Sequence, residues 1–200
     1  MEVVAELEWA ISTRILSELI NNKTLRLNTS GLETVRNSLV PNKVEVFVWR
    51  SRKKHIPVLI EFDKCGVDLN SVRCPIFDQG LETVDHSLLL CNLAYEVWLK
   101  VFDWWGHGGV TNLSISELFL GKSNVRMLKE GHRIWQAVEW TCGYLIRKNR
   151  NLKVFKNKCF NPSVALNDIQ VKSFEWIVKR CKSKKNNWHD WFHNPQSLVV

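Results

Sequence analysis

The fold is decided by residues 74–105, CPIFDQGLETVDHSLLLCNLAYEVWLKVFDWW, in which a segment containing cysteine and histidine leads directly into an amphipathic stretch. Between Asn92 and Trp105 the apolar side chains recur every three or four residues, which is the pattern of a helix with one buried face. These side chains are Leu93, Ala94, Val97, Trp98, Val101 and Trp105. Gly106 ends the pattern. The sequence therefore predicts a helix that starts just after Cys91.

The segment before this helix contains three residues of the types that bind zinc. Within 18 residues the chain supplies Cys74, His86 and Cys91. A structural zinc site takes four nitrogen or sulfur ligands in a tetrahedron and usually opens with Cys-x2-Cys, but Phe77 stands where the second thiolate belongs. Asp78 and Cys65 are the candidate substitutes. The alternative is a metal-free segment in which Phe77 packs and the two cysteines are ordinary buried thiols.

Working outward, helical periodicity and capping residues predict further helices on both sides of this segment. They run from Val3 to Leu19, from Ser30, from Pro57 to Gly66, from Ser114 to Leu120, from Val125 to Lys158 and from Ser163 to Lys182. Residues 44–49 alternate like a strand, and their periodicity alone does not settle their structure. The fold class predicted from these patterns is mainly α.

The composition favours a polyanion as partner and excludes a secreted disulfide scaffold. The chain carries a net charge of +8, which points first to nucleic acid and second to an anionic membrane surface. Its 6 cysteines lie far apart, so we expect reduced thiols or metal ligands. We see neither a signal peptide nor an apolar run long enough to span a membrane, and expect an intracellular protein, nuclear or cytoplasmic.

Basic residues form two clusters near the end of the chain. The predicted nucleic-acid-binding residues are Arg147, Lys148, Arg150, Lys153, Lys156 and Lys158 in the first, and Lys179, Arg180 and Lys182, with Lys184 and Lys185, in the second. Phe155, Trp176 and Trp188 are candidate surfaces on which single-stranded bases stack. The alternative is a solvated basic face whose aromatic neighbours belong to the core.

Catalytic interpretations find little support in the sequence. Polymerases hold two metal ions with paired aspartates, and no two aspartates are adjacent in this chain. There is also no glycine-rich phosphate loop. A nucleophilic pair of Cys91 and His86 is conceivable, but their spacing is better explained by metal binding. We therefore expect no enzymatic activity from this chain.

Several short motifs resemble, in order and spacing, the zinc-binding domain that follows reverse transcriptase in plant LINE-type (non-LTR) retrotransposons. They are Val48-Trp49-Arg50, Cys74-Pro75, Glu82-Thr83, His86, Cys91, Ala94 and Val97-Trp98. The resemblance extends over roughly residues 12–195. It implies that residues 44–50 are helical, and that Cys74, His86 and Cys91 are zinc ligands with Phe77 at the fourth position.

The resemblance also implies a domain organisation and a function. We expect an N-terminal helical segment (1–40), a zinc-binding-type domain (41–105) built around a degenerate zinc knuckle, and a basic helical C-terminal extension (106–200). The implied function is an accessory module that binds RNA or DNA without sequence specificity beside a separate or upstream polymerase domain, with no membrane partner. The alternative is a decayed retroelement fragment that forms a metal-free helical structural or interaction domain.

Overall fold

Residues 36–107, 109, 113–122, 129–181 and 187–196 are described by the computed structural model. The helices predicted from Val3 to Leu19 and from Ser30 lie outside these residues, as does Lys182. The described residues form helices and contain no β-strand. Their only β-type pairing is a single antiparallel bridge between Arg73 and Leu81. The mainly α fold predicted from the sequence is confirmed.

Seven α-helices lie in this part of the chain. They are α1 (Asn42–Arg52), α2 (Leu59–Lys64), α3 (Asn92–Trp104), α4 (Ile115–Phe119), α5 (Lys129–Lys156), α6 (Pro162–Arg180) and α7 (Trp188–His193). A π-helical turn, His86–Leu90, immediately precedes α3. Neither this turn nor α7 was predicted from the sequence.

Helix ends differ from the sequence patterns by one or two residues; α5, for example, ends at Lys156 and not at Lys158. Helix α1 covers the residues whose alternation resembled a strand, so the helix implied by the family resemblance is confirmed. Helix α2 begins at Leu59 and not at Pro57, because the Leu59 amide donates a hydrogen bond to the distant Glu82 carboxylate. Helix α4 begins with a capping box, in which the side chains of Ser114 and Glu117 each accept a hydrogen bond from the other residue's amide. Periodicity alone does not reveal this capping box.

The long helix α5 is the centre of the fold. It packs against α1, α3, α4, α6 and the π-helical turn. Five tryptophans are fully buried, namely Trp98, Trp105, Trp135, Trp140 and Trp191. Three of these indoles donate to backbone carbonyls, which satisfies polar groups that burial would otherwise leave unpaired: Trp98 to Leu88, Trp140 to Phe119 and Trp191 to Gln170.

Helices of the segment 106–200, expected as a basic helical C-terminal extension, pack against helices of the segment 41–105. Residues Arg36–Val200 form one compact unit, in which the described parts of α5 and α6 cover α3. No described helix is both long and apolar enough to cross a membrane. Consequently the residues that pack against the segment with Cys74, His86 and Cys91 come from both sides of residue 105.

Candidate metal and nucleic-acid-binding sites

The loop that carries Cys74 is closed by a short antiparallel pairing of its two ends. The Cys74 amide donates to the Gly80 carbonyl at 3.0 Å, and the Glu82 amide donates to the Val72 carbonyl at 2.9 Å. Inside the loop the Asp78 amide donates to the Cys74 carbonyl at 2.8 Å. Gly80 has a φ of 76°, a left-handed conformation that glycine adopts without strain. This pairing fixes the position of Cys74.

His86 and Cys91 are positioned by the helical turn that joins the loop to α3. The Thr83 hydroxyl accepts a hydrogen bond from the His86 amide at 3.1 Å, which caps the turn at its start. The Cys91 amide donates to the His86 carbonyl at 2.8 Å, the wider hydrogen bond of a π-helical turn. Cys91 is then the N-cap residue of α3. The π-helical turn thus places both side chains beside Cys74.

The three residues form one group with the dimensions of a metal site. One potential ligand atom from each of Cys74, His86 and Cys91 lies within 4.8 Å of the others. The two sulfurs are 3.8 Å apart, and two sulfurs bound at about 2.3 Å to one tetrahedral zinc are separated by about 3.8 Å. His86 Nε2 is buried and has no hydrogen-bond partner, so this nitrogen is available to bind a metal. The donor set and spacing fit zinc.

The electrostatics of the cysteine pair favour one thiolate. A hydrogen bond shared with Cys91 lowers the pKa of Cys74 below its usual range, and the amides of Ile76 and Phe77 lower it further against the effect of burial. The same shared hydrogen bond, together with burial, raises the pKa of Cys91. The thiolate is the form of cysteine that binds metals. These shifts favour the thiolate on Cys74 over that on Cys91.

The fourth position of the family's ligand set is not filled by a substitute. Phe77 is 42% exposed, so the interpretation in which its ring packs into the core is wrong. Neither Asp78 nor Cys65 belongs to the group of potential ligands found among the described residues. Cys65 lies exposed at the end of α2, and Asp78 occupies a left-handed backbone position with φ 49°. The group therefore offers three protein ligands.

Glu82 joins this segment to the centre of the fold. Its carboxylate accepts hydrogen bonds of 2.6 Å from Nε and from Nη2 of Arg150 on α5, and both side chains are buried. The same carboxylate accepts the Leu59 amide at 2.9 Å. In the sequence Glu82 stands out only as part of the resemblance, because its partners are 23 and 68 residues away. Glu82 thus attaches the loop to both α2 and α5.

Asp85 makes a second connection, one that the sequence analysis missed. One carboxylate oxygen accepts the amide of Ile115, the first residue of α4, at 3.1 Å. The other oxygen lies 3.2 Å from the Lys54 ammonium. In the segment Glu82–His86, two acidic side chains therefore attach the turn to other helices while His86 faces the cysteines.

The first basic cluster divides into inward-facing and outward-facing residues. Arg150 is buried with Glu82, and buried Arg147 donates to the Pro57 carbonyl, so neither of these predicted nucleic-acid-binding residues lies on the surface with the exposed lysines. Helical geometry explains the division, since 147 and 150 fall on the face of α5 that packs inward. Lys148, Lys156 and Lys158 are exposed and Lys153 is half-buried; in the second cluster Lys179 and Arg180 are exposed.

The three predicted stacking residues have different surroundings. Phe155 is half-buried and lines an open groove on α5. Trp176 is half-buried and meets the Tyr144 ring edge to face, with centroids 6.3 Å apart. Trp188 is 40% exposed on α7 and contacts Phe174 and Phe192. Tyr144 itself was missed, although it lies one helical turn before Lys148, where helical spacing would have found it.

A comparison with protein families identifies the segment that carries the cysteines. Residues 13–98, less than half of the 200-residue chain, match the family model described as zinc-binding in reverse transcriptase. The match contains Cys74, His86 and Cys91 together with α1 and α2. No curated protein and no solved structure matches the chain. Over residues 13–98 the chain is thus similar to the zinc-binding domain of reverse transcriptases, as the resemblance drawn from the sequence predicted.

Proposed function

We propose that this chain is an accessory module of a LINE-type reverse transcriptase, in which a zinc ion held by three protein ligands stabilises a helical body that binds nucleic acid. The observation that supports the zinc ion best is the 3.8 Å separation of the Cys74 and Cys91 sulfurs, with His86 completing the group. Two thiolates and an imidazole form a ligand set that zinc prefers. Bound zinc would link the Cys74 loop to the start of α3.

The zinc would act as a structural ion. The loop is short of apolar contacts, since Phe77 and Leu81 are 42% and 52% exposed. Its attachment to the core rests on Glu82, on Asp85 and on the cysteine pair. In such a segment a metal ion supplies the cross-link that a larger core would otherwise provide. With three protein ligands the binding is weaker than that of a complete four-ligand site.

Nucleic-acid binding follows from the outward-facing part of the basic clusters. Lys148 and Lys156 are exposed in the C-terminal half of α5, Lys158 is exposed just after its end, and the chain as a whole carries a net charge of +8. A set of neighbouring exposed lysines binds phosphates mainly by releasing counterions, and this binding does not depend on sequence. The buried arginines contribute indirectly, because they hold α5 against the Cys74 loop and α2.

Neutralising the exposed lysines tests this function. The triple variant Lys148→Gln, Lys156→Gln, Lys158→Gln should bind single-stranded RNA more weakly, and its plot of log affinity against log salt should be flatter by about two, since each phosphate contact to a single strand contributes about 0.7. Fluorescence anisotropy at several salt concentrations measures both values.

The matched control removes the same charge elsewhere. Lys64→Gln, Lys100→Gln, Lys122→Gln neutralises three lysines on α2, α3 and the loop after α4, two of which form surface ion pairs with Glu61 and Glu96. This control should keep the wild-type salt slope. Equal slopes for the two triple variants would show that only the net charge matters and would overturn the proposed binding face.

The second candidate function is a metal-free helical interaction domain, the product of a decayed retroelement. The specific observation in its favour is that Phe77, which cannot bind a metal, occupies the position of the fourth ligand, so that the group offers only three potential ligands. The two candidates differ in zinc binding. A chain that remains folded and binds no zinc would support the second.

We further propose that the polymerase activity belongs to a separate or upstream domain of the parent protein. The matched family is named for zinc binding and not for catalysis. A primer-extension assay with the purified chain should give no product above the background without enzyme.

A further inference from the structure

One face of α5 forms an open groove that no described helix fills. Its volume is about 290 Å³, and its lining comes from the C-terminal half of α5 alone: Tyr144, Arg147, Lys148, Asn151, Leu152, Phe155 and Lys156. These residues recur every three or four positions and therefore share one side of the helix. None of them is acidic.

The groove combines flat apolar surface with positive charge. Tyr144, Leu152 and Phe155 supply apolar surface, while the exposed Lys148 and Lys156 stand beside it. Arg147 contributes its side-chain stem, because its guanidinium donates to the Pro57 carbonyl. Tyr144 and Phe155 are separated by eleven residues along α5, which is about 16 Å at 1.5 Å per residue. This length accommodates several consecutive nucleotides of an extended strand.

Tyr144 is held firmly at one end of the groove. Its ring packs edge to face against Phe47 of α1 and Trp176 of α6, with centroids 5.6 Å and 6.3 Å apart. The Lys43 ammonium lies 5.8 Å from the centre of the Tyr144 ring and 6.0 Å from that of Trp176. A ring fixed by neighbours on two other helices loses little entropy when a base stacks on it. Lys43 also extends the positive charge to this end.

We propose that this groove binds single-stranded nucleic acid, with bases stacked on Phe155 and Tyr144 and phosphates contacted by Lys148 and Lys156. The proposal rests on the nucleic-acid-binding function proposed above and adds the form of the strand and the site. In a duplex the faces of the bases are already stacked on one another, so the aromatic groove has nothing to bind there. Sequence preference is weak, because every base has a flat face.

The substitution Phe155→Leu removes the ring and keeps an apolar side chain of similar bulk. Stacking of one base on an aromatic ring corresponds to roughly a tenfold change in affinity, so the variant should bind a short single-stranded RNA about tenfold more weakly. Its salt slope should equal that of the wild type, because no charge is removed. Binding to duplex DNA should be unchanged.

The matched control is Phe192→Leu, which removes an aromatic ring that is 39% exposed on α7, outside the groove. It should leave the affinity for RNA unchanged. Circular dichroism and thermal unfolding of both variants separate a loss of binding from a loss of folding.

Photocrosslinking of the wild-type chain tests the site without any substitution. An RNA that contains 5-iodouridine, irradiated in the complex, should crosslink to the α5 peptides that contain Tyr144 or Phe155, as identified by mass spectrometry. Crosslinks confined to other elements, or equal RNA affinity of folded Phe155→Leu and the wild type, would overturn the groove and leave the general function standing. A wild type that binds no nucleic acid at all would overturn both.

Discussion

Arg150 donates two hydrogen bonds of 2.6 Å to the carboxylate of Glu82, and neither side chain is more than 2% exposed. This buried ion pair joins the middle of the basic cluster on α5 to the segment that carries His86. An arginine paired side-on in this way makes the strongest kind of charged hydrogen bond. Part of the positive charge that suggested nucleic-acid binding therefore has a structural role.

A double-mutant cycle on this pair should show strong coupling. Replacing either partner, as in Glu82→Met or Arg150→Met, leaves a buried charge without its partner and should lower the free energy of unfolding by about 3–5 kcal/mol. The double variant buries no charge. Its loss of unfolding free energy should be smaller than the sum of the two single losses by at least about 2 kcal/mol. Urea denaturation measures all four proteins. Additive effects would show that the pair is not coupled.

The hydrogen bond from the Ile115 amide to Asp85 should be separable from the charge of Asp85. Asp85→Asn keeps an oxygen that accepts at the start of α4, whereas Asp85→Ala removes it and should cost about 1 kcal/mol. The ion pair with Lys54 should matter less, because the lysine is 65% exposed. If Asp85→Asn and Asp85→Ala lower the unfolding temperature equally, the hydrogen bond accepted from the Ile115 amide is not what Asp85 contributes to stability.

Replacing Gly80 should destabilise the loop that carries Cys74. At its φ of 76° any L-residue is strained, and a Cβ would lie 3.4 Å from Cε1 of His86. Gly80→Ala should therefore destabilise the chain by about 1 kcal/mol and weaken zinc binding, since the loop holds Cys74 in place. Gly66→Ala is the control, because Gly66 has the same φ of 76° but no neighbour within 4 Å of the added carbon. Equal zinc affinities for the two variants would contradict a link between Gly80 and the site.

The cysteines should differ widely in their reactivity toward a thiol reagent. Exposed Cys65 and Cys159 should react fast, and buried Cys142, whose pKa is raised by burial and by nearby Glu139, should react only on unfolding. Zinc should slow the labelling of Cys74 and Cys91 and leave the rate of the two exposed cysteines unchanged. Mass spectrometry after timed labelling measures each rate. Protection of all cysteines by zinc would indicate a general change in folding and not a local site.

The sequence was informative wherever a contact depends on local spacing. Periodicity predicts helix α3, and short motifs identify Cys74, His86 and Cys91 as candidate metal ligands. The family resemblance implied that α1 is helical. The spacing of Trp135, Val138, Cys142 and Leu145, which are all buried, also indicates which side of α5 faces inward. The basic residues were nevertheless treated as one cluster, because charge was counted along the chain without regard to the helix face.

Long-range partners were beyond the reach of the sequence. The Glu82 carboxylate binds Leu59 and Arg150, whose positions along the chain give no sign that they meet. The π-helical turn likewise depends on its surroundings, since Leu88 and Leu89 are buried against other helices. The exposure of Phe77 is a property of the closed loop and not of a pattern in the residues around it.

Competition for zinc with a chromogenic chelator tests most directly the claim that Cys74, His86 and Cys91 hold the metal. We expect the wild type to bind one zinc ion per chain, Cys91→Ser to bind none, and Phe77→Cys to bind roughly 100-fold more tightly, as one added ligand supplies about a quarter of the 10–16 kcal/mol of a complete site. Phe77→Ser, which removes the ring without adding a thiolate, should match the wild type. A folded wild type that takes no zinc from the chelator, or equal affinities for Phe77→Cys and Phe77→Ser, would contradict the claim.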